Sequence, residues 1–160
     1  MTEIQIIPIE EKDNEWVSSL LAKQWGSTII VSRGKTHQAN KLPGFIALIE
    51  AKKVGLITYF IENNDCEIVT LDSLVEGKGV GIALLEKVKK VAKEKNCKRV
   101  WLITTNDNME ALRFYQKRGF VLSALYPNAL EQSRKLKPEI PKIGRDNIPL
   151  RDEIELEIKL

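Results

Sequence analysis

A glycine-rich turn that leads directly into an amphipathic helix is the segment of this sequence best suited to chemistry. The residues that form the turn and the start of the helix are Gly77, Lys78, Gly79, Val80, Gly81 and Ile82. Glycine has no Cβ, so its backbone can adopt positive φ and lie close to a ligand. The first N–H groups of a helix have no intrahelical partner, and with the helix dipole they favour an anion such as a phosphate. We therefore expect a phosphate or pyrophosphate site at residues 77–82.

Two common phosphate-binding motifs do not fit this turn. A P-loop requires G-x-x-x-x-G-K-[ST], and the chain has no Lys-Ser or Lys-Thr pair after a glycine at that spacing. A dinucleotide-binding G-x-G-x-x-G motif would need its third glycine at Ile82 or Leu84. The pattern that fits is x-x-G-x-G before an apolar helix. On this segment alone, a turn that only connects a strand to a helix remains the alternative.

A second segment, residues 106–120, has the signals of a short helix. Asn108 is suited to cap its first turn, and Glu110 can reach back from that turn. Gly119 fits the left-handed position that follows a helix. The segment reads N-x-x-A-x-x-F-Y-x-x-x-G-F and places Tyr115 on the helix.

In this order, with a strand between them, the two segments resemble the acyl-CoA pyrophosphate loop and the second signature of the GNAT superfamily of N-acyltransferases. The resemblance covers roughly residues 3–126. It implies an α+β fold, in which a mixed, mostly antiparallel central sheet has one splayed parallel strand pair and is flanked by helices. The chain departs from the family at Glu76, where Arg or Gln is usual; backbone N–H groups provide much of the pyrophosphate binding there.

The same resemblance implies acetyl-CoA as the acyl donor and no metal. The coenzyme would lie between a strand at 67–74 and a strand at 99–104. Its pyrophosphate would bind at 77–82, and Asn108 would orient the coenzyme or cap its own helix. The pantetheine arm would bond to the backbone of Leu71, Ser73 and Leu74.

In this chemistry an amine attacks the thioester directly, so no nucleophilic side chain is needed. An alkylamine with a pKa of ~10.4 must first lose a proton, at a cost of about 4–5 kcal/mol at pH 7. We expect Asp72 to take that proton, directly or through water; a turn or bulge residue bonded to the backbone is the alternative. Strand alternation would place Glu67 and Asp72 on opposite faces, barring a bulge between them. Tyr115 would hydrogen-bond the leaving thiolate; a half-buried aromatic residue with its hydroxyl in water is the alternative.

These features predict an N-acetyltransferase that acts on a primary amine of a small molecule or peptide. A non-catalytic acyl-CoA-binding sensor or scaffold is the alternative. The single histidine, His37, lies in a polar stretch and is expected to be solvated, with a contact to the acceptor as the other reading. The chain has 160 residues, 43% of them hydrophobic and 29% charged, which is typical of one globular domain over 1–160.

Composition also limits the partners that we expect. The basic stretch at 87–99 has no interleaved aromatic residues, so a solvated helix face is favoured over a nucleic-acid site. The chain shows neither a membrane-spanning apolar run nor a signal-peptide pattern at its start, which favours the cytoplasm and no membrane partner. Cys66 and Cys97 have no metal or redox spacing and are expected to be buried thiols. A homodimer is possible.

The positioning elements follow from apolar periodicity and turn signals. Residues 33–41 are expected to form a polar loop, and residues 127–152 a surface excursion or a wall of the acceptor pocket. Helices are expected at 14–23, after Gly81, within 106–119 and at 129–136. Strands are expected at 3–9, 28–32, 45–50, 54–61, 67–71, 99–104, 120–126 and 153–160.

Overall fold

A computed structural model describes residues 3–160 and contains a seven-stranded sheet with helices on both faces. The strands are β1 (Gln5–Pro8), β2 (Ile29–Ser32), β3 (Lys35–Gln38), β4 (Gly44–Ile49), β5 (Lys52–Glu62), β6 (Asp65–Ser73), β7 (Arg99–Thr105), β8 (Val121–Tyr126) and β9 (Glu153–Lys159). The helices are α1 (Asn14–Trp25), α2 (Val80–Glu94), α3 (Met109–Lys117) and α4 (Ala129–Leu136).

The strand order in the large sheet is β1-β4-β5-β6-β7-β9-β8, and β2 and β3 form a separate hairpin. The β6–β7 pair is parallel, whereas the other neighbouring strands of the sheet are antiparallel. This topology confirms the predicted α+β class and the single parallel pair. The C-terminal strand β9 inserts between β7 and β8, which the sequence did not indicate.

The parallel pair separates after only three residue pairs, which run from Asp65–Arg99 to Glu67–Trp101. A β-bulge in β6 accompanies the separation, because Thr58 of β5 pairs with Thr70 whereas the next residue of β5 pairs with Ile68. Val69 is therefore the extra residue, and a bulge bends its strand and increases the local twist. The later parts of β6 and β7 diverge and leave a cleft through the middle of the sheet.

The two faces of the sheet have separate apolar cores. On one face, α2 and α3 pack over the sheet, and Gly55 lets α2 approach closely, since a Cβ there would lie 2.5 Å from Val80 Cγ1. On the other face, α1 packs against the sheet, with the β2–β3 hairpin beside it. The core on the α1 face consists of Val17, Leu20, Leu21, Ile30, Ala39, Ile46, Leu56 and Val69.

Several local expectations are corrected. The stretch at 33–41 is not a loop, since it contains β3, and His37 on this strand is only 4% exposed. Helix α4 forms as predicted; Asn128, the residue before it, has a left-handed backbone, and its N–H donates to Asp152 Oδ1 at 2.8 Å. The lysines of α2 lie away from its apolar stripe, as expected, and Cys66 and Cys97 are buried free thiols, also as expected.

Within residues 3–160, no helix has both the length and the apolarity to cross a membrane.

Candidate active site

The glycine turn before α2 leaves a run of backbone N–H groups that find no acceptor among residues 3–160. Ala83 is the first residue of this helix to donate an N–H to a backbone carbonyl, that of Gly79, at 3.0 Å. Gly77 and Gly79 have φ of +70° and +80°, which L side chains adopt only with strain. A Cβ at either position would meet no protein atom within 4 Å, so the space in front of the turn is open. The turn can accept an anion at its N–H groups.

The side chains around this turn do not all face the open space. Val80 is 1% exposed and packs beneath α2, so only its N–H is free for a ligand. Gly81 faces α3, since a Cβ there would lie 3.3 Å from Phe114 Cζ. Lys78, Ile82 and Glu76 are exposed, and the Glu76 carboxylate can therefore remain in water.

The free edge of β6 borders the cleft. The Leu74 N–H donates to Val54 O at 2.8 Å, so this group points toward β5 and away from the cleft. Because backbone groups alternate along a strand, those of Leu71 and Ser73 point the other way, toward β7. The Ser73 hydroxyl donates to Val75 O at 2.6 Å. Leu71 and Ser73 can thus pair with an extended ligand, whereas the Leu74 N–H is already bonded.

Tyr115 projects from α3 into the core on the α2 face. Its ring packs edge-on against Phe114 and Phe120, with centroids 5.1 Å and 5.3 Å away. Tyr115 is only 6% exposed. Burial raises the pKa of the Tyr115 phenol above its usual value, and the Asp72 carboxylate adds to this rise. Asn108 caps α3, because its side chain accepts the Ala111 N–H at 3.1 Å.

Asp72 lies on the opposite face of the sheet from Tyr115. The indole Nε1 of Trp25, at the end of α1, donates to Asp72 Oδ2 at 2.9 Å. Burial raises the pKa of the Asp72 carboxyl, and the bond from Trp25 partly offsets that rise. The Asp72 carboxylate is therefore bonded to a side chain of α1, and not to the backbone of a turn.

The bulge at Val69 is the exception that the expectation about Glu67 and Asp72 allowed for. With one extra residue between them, Glu67 and Asp72 project from the same face of β6, the face that packs against α1 and the hairpin. The cleft then connects this face with the face that carries Tyr115.

Other buried polar side chains on the α1 face were missed or misjudged from the sequence. Glu67 accepts a bond of 2.7 Å from the Ser32 hydroxyl, and its Oε1 lies 3.3 Å from His37 Nε2. Glu153 on β9 is 3% exposed. The strict alternation of Glu and apolar residues in β9 predicts one buried face, but the structure buries the acidic face as well. Side chains of the two neighbouring strands cover this face, since Arg99 of β7 contacts Glu155 and Glu157, and Ser123 and Tyr126 of β8 bond to Glu155.

The excursion at 127–152 packs against the end of α1 and against β2. Lys137, 8% exposed, donates to Trp25 O at 3.0 Å and to Ile29 O at 2.8 Å, so it ties the excursion to the end of α1. Asp107 fixes the other side of the excursion, since its Oδ2 accepts the Arg145 N–H at 2.8 Å. The excursion is therefore anchored at the end of α1 and β2 by Lys137 and at the segment after β7 by Asp107.

A split parallel pair, an open glycine turn at a helix start and a buried tyrosine on the following helix together define an acyltransferase of the coenzyme A-dependent class. The family model described as "Acetyltransferase (GNAT) family" matches residues 9–120. The chain belongs to this family and is an acetyltransferase.

One relative and two solved structures illustrate the comparison. YxbD of Bacillus subtilis, described as uncharacterized, is 46% identical over 154 residues, which cover 96% of this chain and 97% of YxbD. A structure described as an IAA acetyltransferase from Bacillus cereus has a TM-score of 0.72 at 19% identity, and covers 99% of this chain and 100% of its own. A GNAT family acetyltransferase from Elizabethkingia anophelis, solved with acetyl-CoA bound, has a TM-score of 0.69 at 20% identity over 98% of each chain.

Proposed function

We propose that this protein transfers the acetyl group of acetyl-CoA to a primary amine by direct attack on the thioester. The observation that carries the proposal is the cleft between β6 and β7, with Asp72 on one face and Tyr115 on the other. An amine that enters from the α1 face would meet the carboxylate, while the departing sulfur would meet the phenol. The geometry separates the site of proton removal from the site of thiolate departure.

The donor would bind along the cleft. Its pyrophosphate takes the N–H groups of residues 77–82, which have no acceptors within the described part of the chain. Its pantetheine arm lies against the free edge of β6 and bonds to the backbone of Leu71 and Ser73, as an added strand would. An N–H of this edge also stabilises the thioester oxygen as it becomes negative. Asn108 contributes by fixing the first turn of α3.

Asp72 is the general base in this mechanism. Free alkylamine is scarce at pH 7, so a proton acceptor close to the attacking nitrogen lowers the barrier. A carboxylate of ordinary acidity is a poor acceptor, but burial raises the pKa of Asp72 and brings it closer to the operating pH. The bond from Trp25 Nε1 fixes the orientation of the carboxylate and leaves its second oxygen for the amine or a water molecule.

Tyr115 stabilises the leaving thiolate by a hydrogen bond. Full proton transfer from a phenol of pKa ~10 to a thiolate whose thiol has a pKa of ~8.5 is uphill by about 2 kcal/mol. Because burial raises the pKa of Tyr115 further, the transfer is still less favourable. Tyr115 therefore donates a hydrogen bond to the thiolate and keeps its proton.

The proposal is tested by following thiol release from acetyl-CoA with a panel of primary amines across a range of pH. Release that depends on the amine, with formation of the acetylated amine seen by mass spectrometry, is the expected result. If acetyl-CoA binds but no amine gives release above the background hydrolysis at any pH, the proposal of amine transfer is wrong.

A further inference from the structure

Strand β8 forms one edge of the large sheet and pairs only with β9. The backbone groups of a strand point alternately to its two sides, so those of β8 that point away from β9 have no neighbouring strand within residues 3–160. An exposed strand edge is a template for pairing with another strand, and natural proteins usually shorten it or protect it with proline or charged residues. The edge of β8 is therefore a surface at which a further strand can bind.

The sequence of β8 has neither proline nor charge to protect this edge. Its six residues read Val-Leu-Ser-Ala-Leu-Tyr. Val121, Leu122 and Leu125 are 59%, 55% and 61% exposed, and they are the three most exposed large apolar side chains in residues 3–160. By contrast, β1 at the opposite edge has only four residues and ends at Pro8, which has no N–H to donate. Of the two edges of the sheet, β8 is the one that is open and apolar.

A β-bulge in β8 brings its two leucines to one face of the sheet. Leu122 is opposite Leu156 of β9, whereas Leu125 is opposite Ile154, and these two β9 residues share a face because they are two positions apart. The extra residue, Ser123, is bonded to β9, since its hydroxyl donates to a carboxylate oxygen of that strand at 2.8 Å. The leucines lie on the face that carries α2 and α3, but their exposure shows that neither helix covers them.

A second copy of β8 complements this edge by symmetry. Two identical strands related by a twofold axis run antiparallel, and the contact between them is closed. With the axis between Ser123 and Ala124, Leu122 of one chain lies opposite Leu125 of the other, so four leucines meet on one face of the joined sheets. Like charges opposite each other would oppose such pairing, but β8 has no charged side chain.

Other partners fit this edge less well than a second copy does. Pairing of β8 with β1 of another molecule would join different surfaces and produce open filaments, and Pro8 weakens the ladder that β1 could form. A strand of an unrelated protein would need to lack charge and to place apolar side chains opposite both leucines. Another β8 meets both requirements because it is the same sequence.

We propose that this protein forms a homodimer in which the two β8 strands pair antiparallel about a twofold axis between Ser123 and Ala124. The dimer joins the two large sheets edge to edge and leaves the cleft free, since β9 and β7 separate β8 from β6. Six residues give a contact only about 20 Å long. This is small beside the roughly 1,200–2,000 Å² of a stable interface, so we expect a dimer that dissociates at micromolar concentrations. The inference does not depend on the proposed acetyl transfer.

Sedimentation velocity from about 1 μM to 1 mM measures the dimer directly. We expect concentration-dependent dimers of the wild type, and Leu125→Lys should raise the dimer Kd about tenfold or more because it removes both leucine pairs and charges the edge. Met109→Lys is the matched control, since Met109 is 46% exposed on α3, outside β8; its Kd should equal that of the wild type. Thermal melting verifies that both variants are folded.

Two results of this experiment would overturn the proposal. One is a wild type that stays monomeric at every concentration, including the case in which a strand of another protein occupies the edge. The other is a folded Leu125→Lys variant that dimerises as the wild type does.

Cysteine pairing tests the register without a disruptive substitution. Leu122→Cys and Leu125→Cys are prepared separately and then mixed under mild oxidation. Opposite residues of an antiparallel pair have Cα atoms about 4.5–5.5 Å apart, which suits a disulfide. We expect a covalent dimer in the mixture and little in either variant alone; Cys66 and Cys97 are buried and do not compete. Equal cross-linking of each variant alone, or none in the mixture, would show that the strands do not pair in this way.

Discussion

Replacement of Asp72 by asparagine tests the proposed base directly. Asparagine has nearly the same size and can still accept the Trp25 N–H, but its amide cannot take up a proton at neutral pH. The variant therefore removes the basicity of the side chain and retains its shape. Changes in rate can then be attributed to proton removal if the fold is intact.

The magnitude follows from the acidity of the amine. With a pKa of ~10.4, about one amine molecule in 2500 is free at pH 7. A positioned general base contributes about 10²–10⁴-fold. We expect kcat/KM of Asp72→Asn to fall by about 10²-fold or more at pH 7, and the deficit to shrink as pH approaches ~10, where free amine is abundant.

The thermal stability of Asp72→Asn at pH 7 should not fall, in contrast to its rate. The pKa of Asp72 is raised in the folded protein, so the folded state favours the protonated carboxyl. The stabilising contribution of this group is complete below its unfolded pKa of ~3.9 and is lost as pH rises through the folded pKa. The asparagine variant does not lose this contribution. Its Tm at pH 7 should equal or exceed that of the wild type.

The assay is the pH dependence of kcat/KM, combined with thermal melting at pH 7. Glu94→Gln is the matched control for loss of one negative charge, because Glu94 is exposed and lies at the opposite end of α2 from the glycine turn. A loss of rate that is constant across pH, together with a lower Tm, would show that Asp72 has a structural role and would refute the assignment.

Three further results are expected. Tyr115→Phe should lower kcat by about tenfold or more with little change in the Kd for CoA, since it removes only the hydroxyl; wild-type kcat in this variant would contradict the thiolate contact. Gly79→Val should weaken CoA binding in calorimetry, because a β-branched residue is strained at φ +80°, whereas Gly34→Val, at φ +72° in the hairpin turn, should not. Glu153→Gln should raise the Tm between neutral and mildly alkaline pH, because burial raises the pKa of this carboxyl and its charged form destabilises the fold; an unchanged or lower Tm would show that the carboxylate is compensated.

Local signals were sufficient for the glycine turn and for α3. Gly77 and Gly79 indicate a backbone with positive φ, and Asn108 indicates the start of a helix. Both conformations depend only on the residue itself and its nearest neighbours in the chain. The family's two signatures combine such local signals. The order and type of most elements follow for the same reason.

Longer-range features were not predictable in this way. The bulge at Val69 is a property of the pairing between β5 and β6, and one residue of register decides whether Glu67 shares a face with Asp72. The insertion of β9 between β7 and β8 buries Glu153 on a face that alternation alone would assign to solvent. His37 was misread because its neighbours are polar, although the hairpin turns its ring toward Phe60, 5.3 Å away.

The division of the large sheet has a mechanical consequence. Three residue pairs at the start of β6 and β7 join two parts of the sheet, one of four strands (β1, β4, β5, β6) and one of three (β7, β9, β8). We expect the boundary between β6 and β7 to be the most flexible part of the sheet when the cleft is empty. It should become more rigid when an extended ligand bonds to both strands. Amide hydrogen exchange along Leu71–Ser73 should then slow on addition of donor, so the rigidity of the molecule would vary with the supply of its substrate.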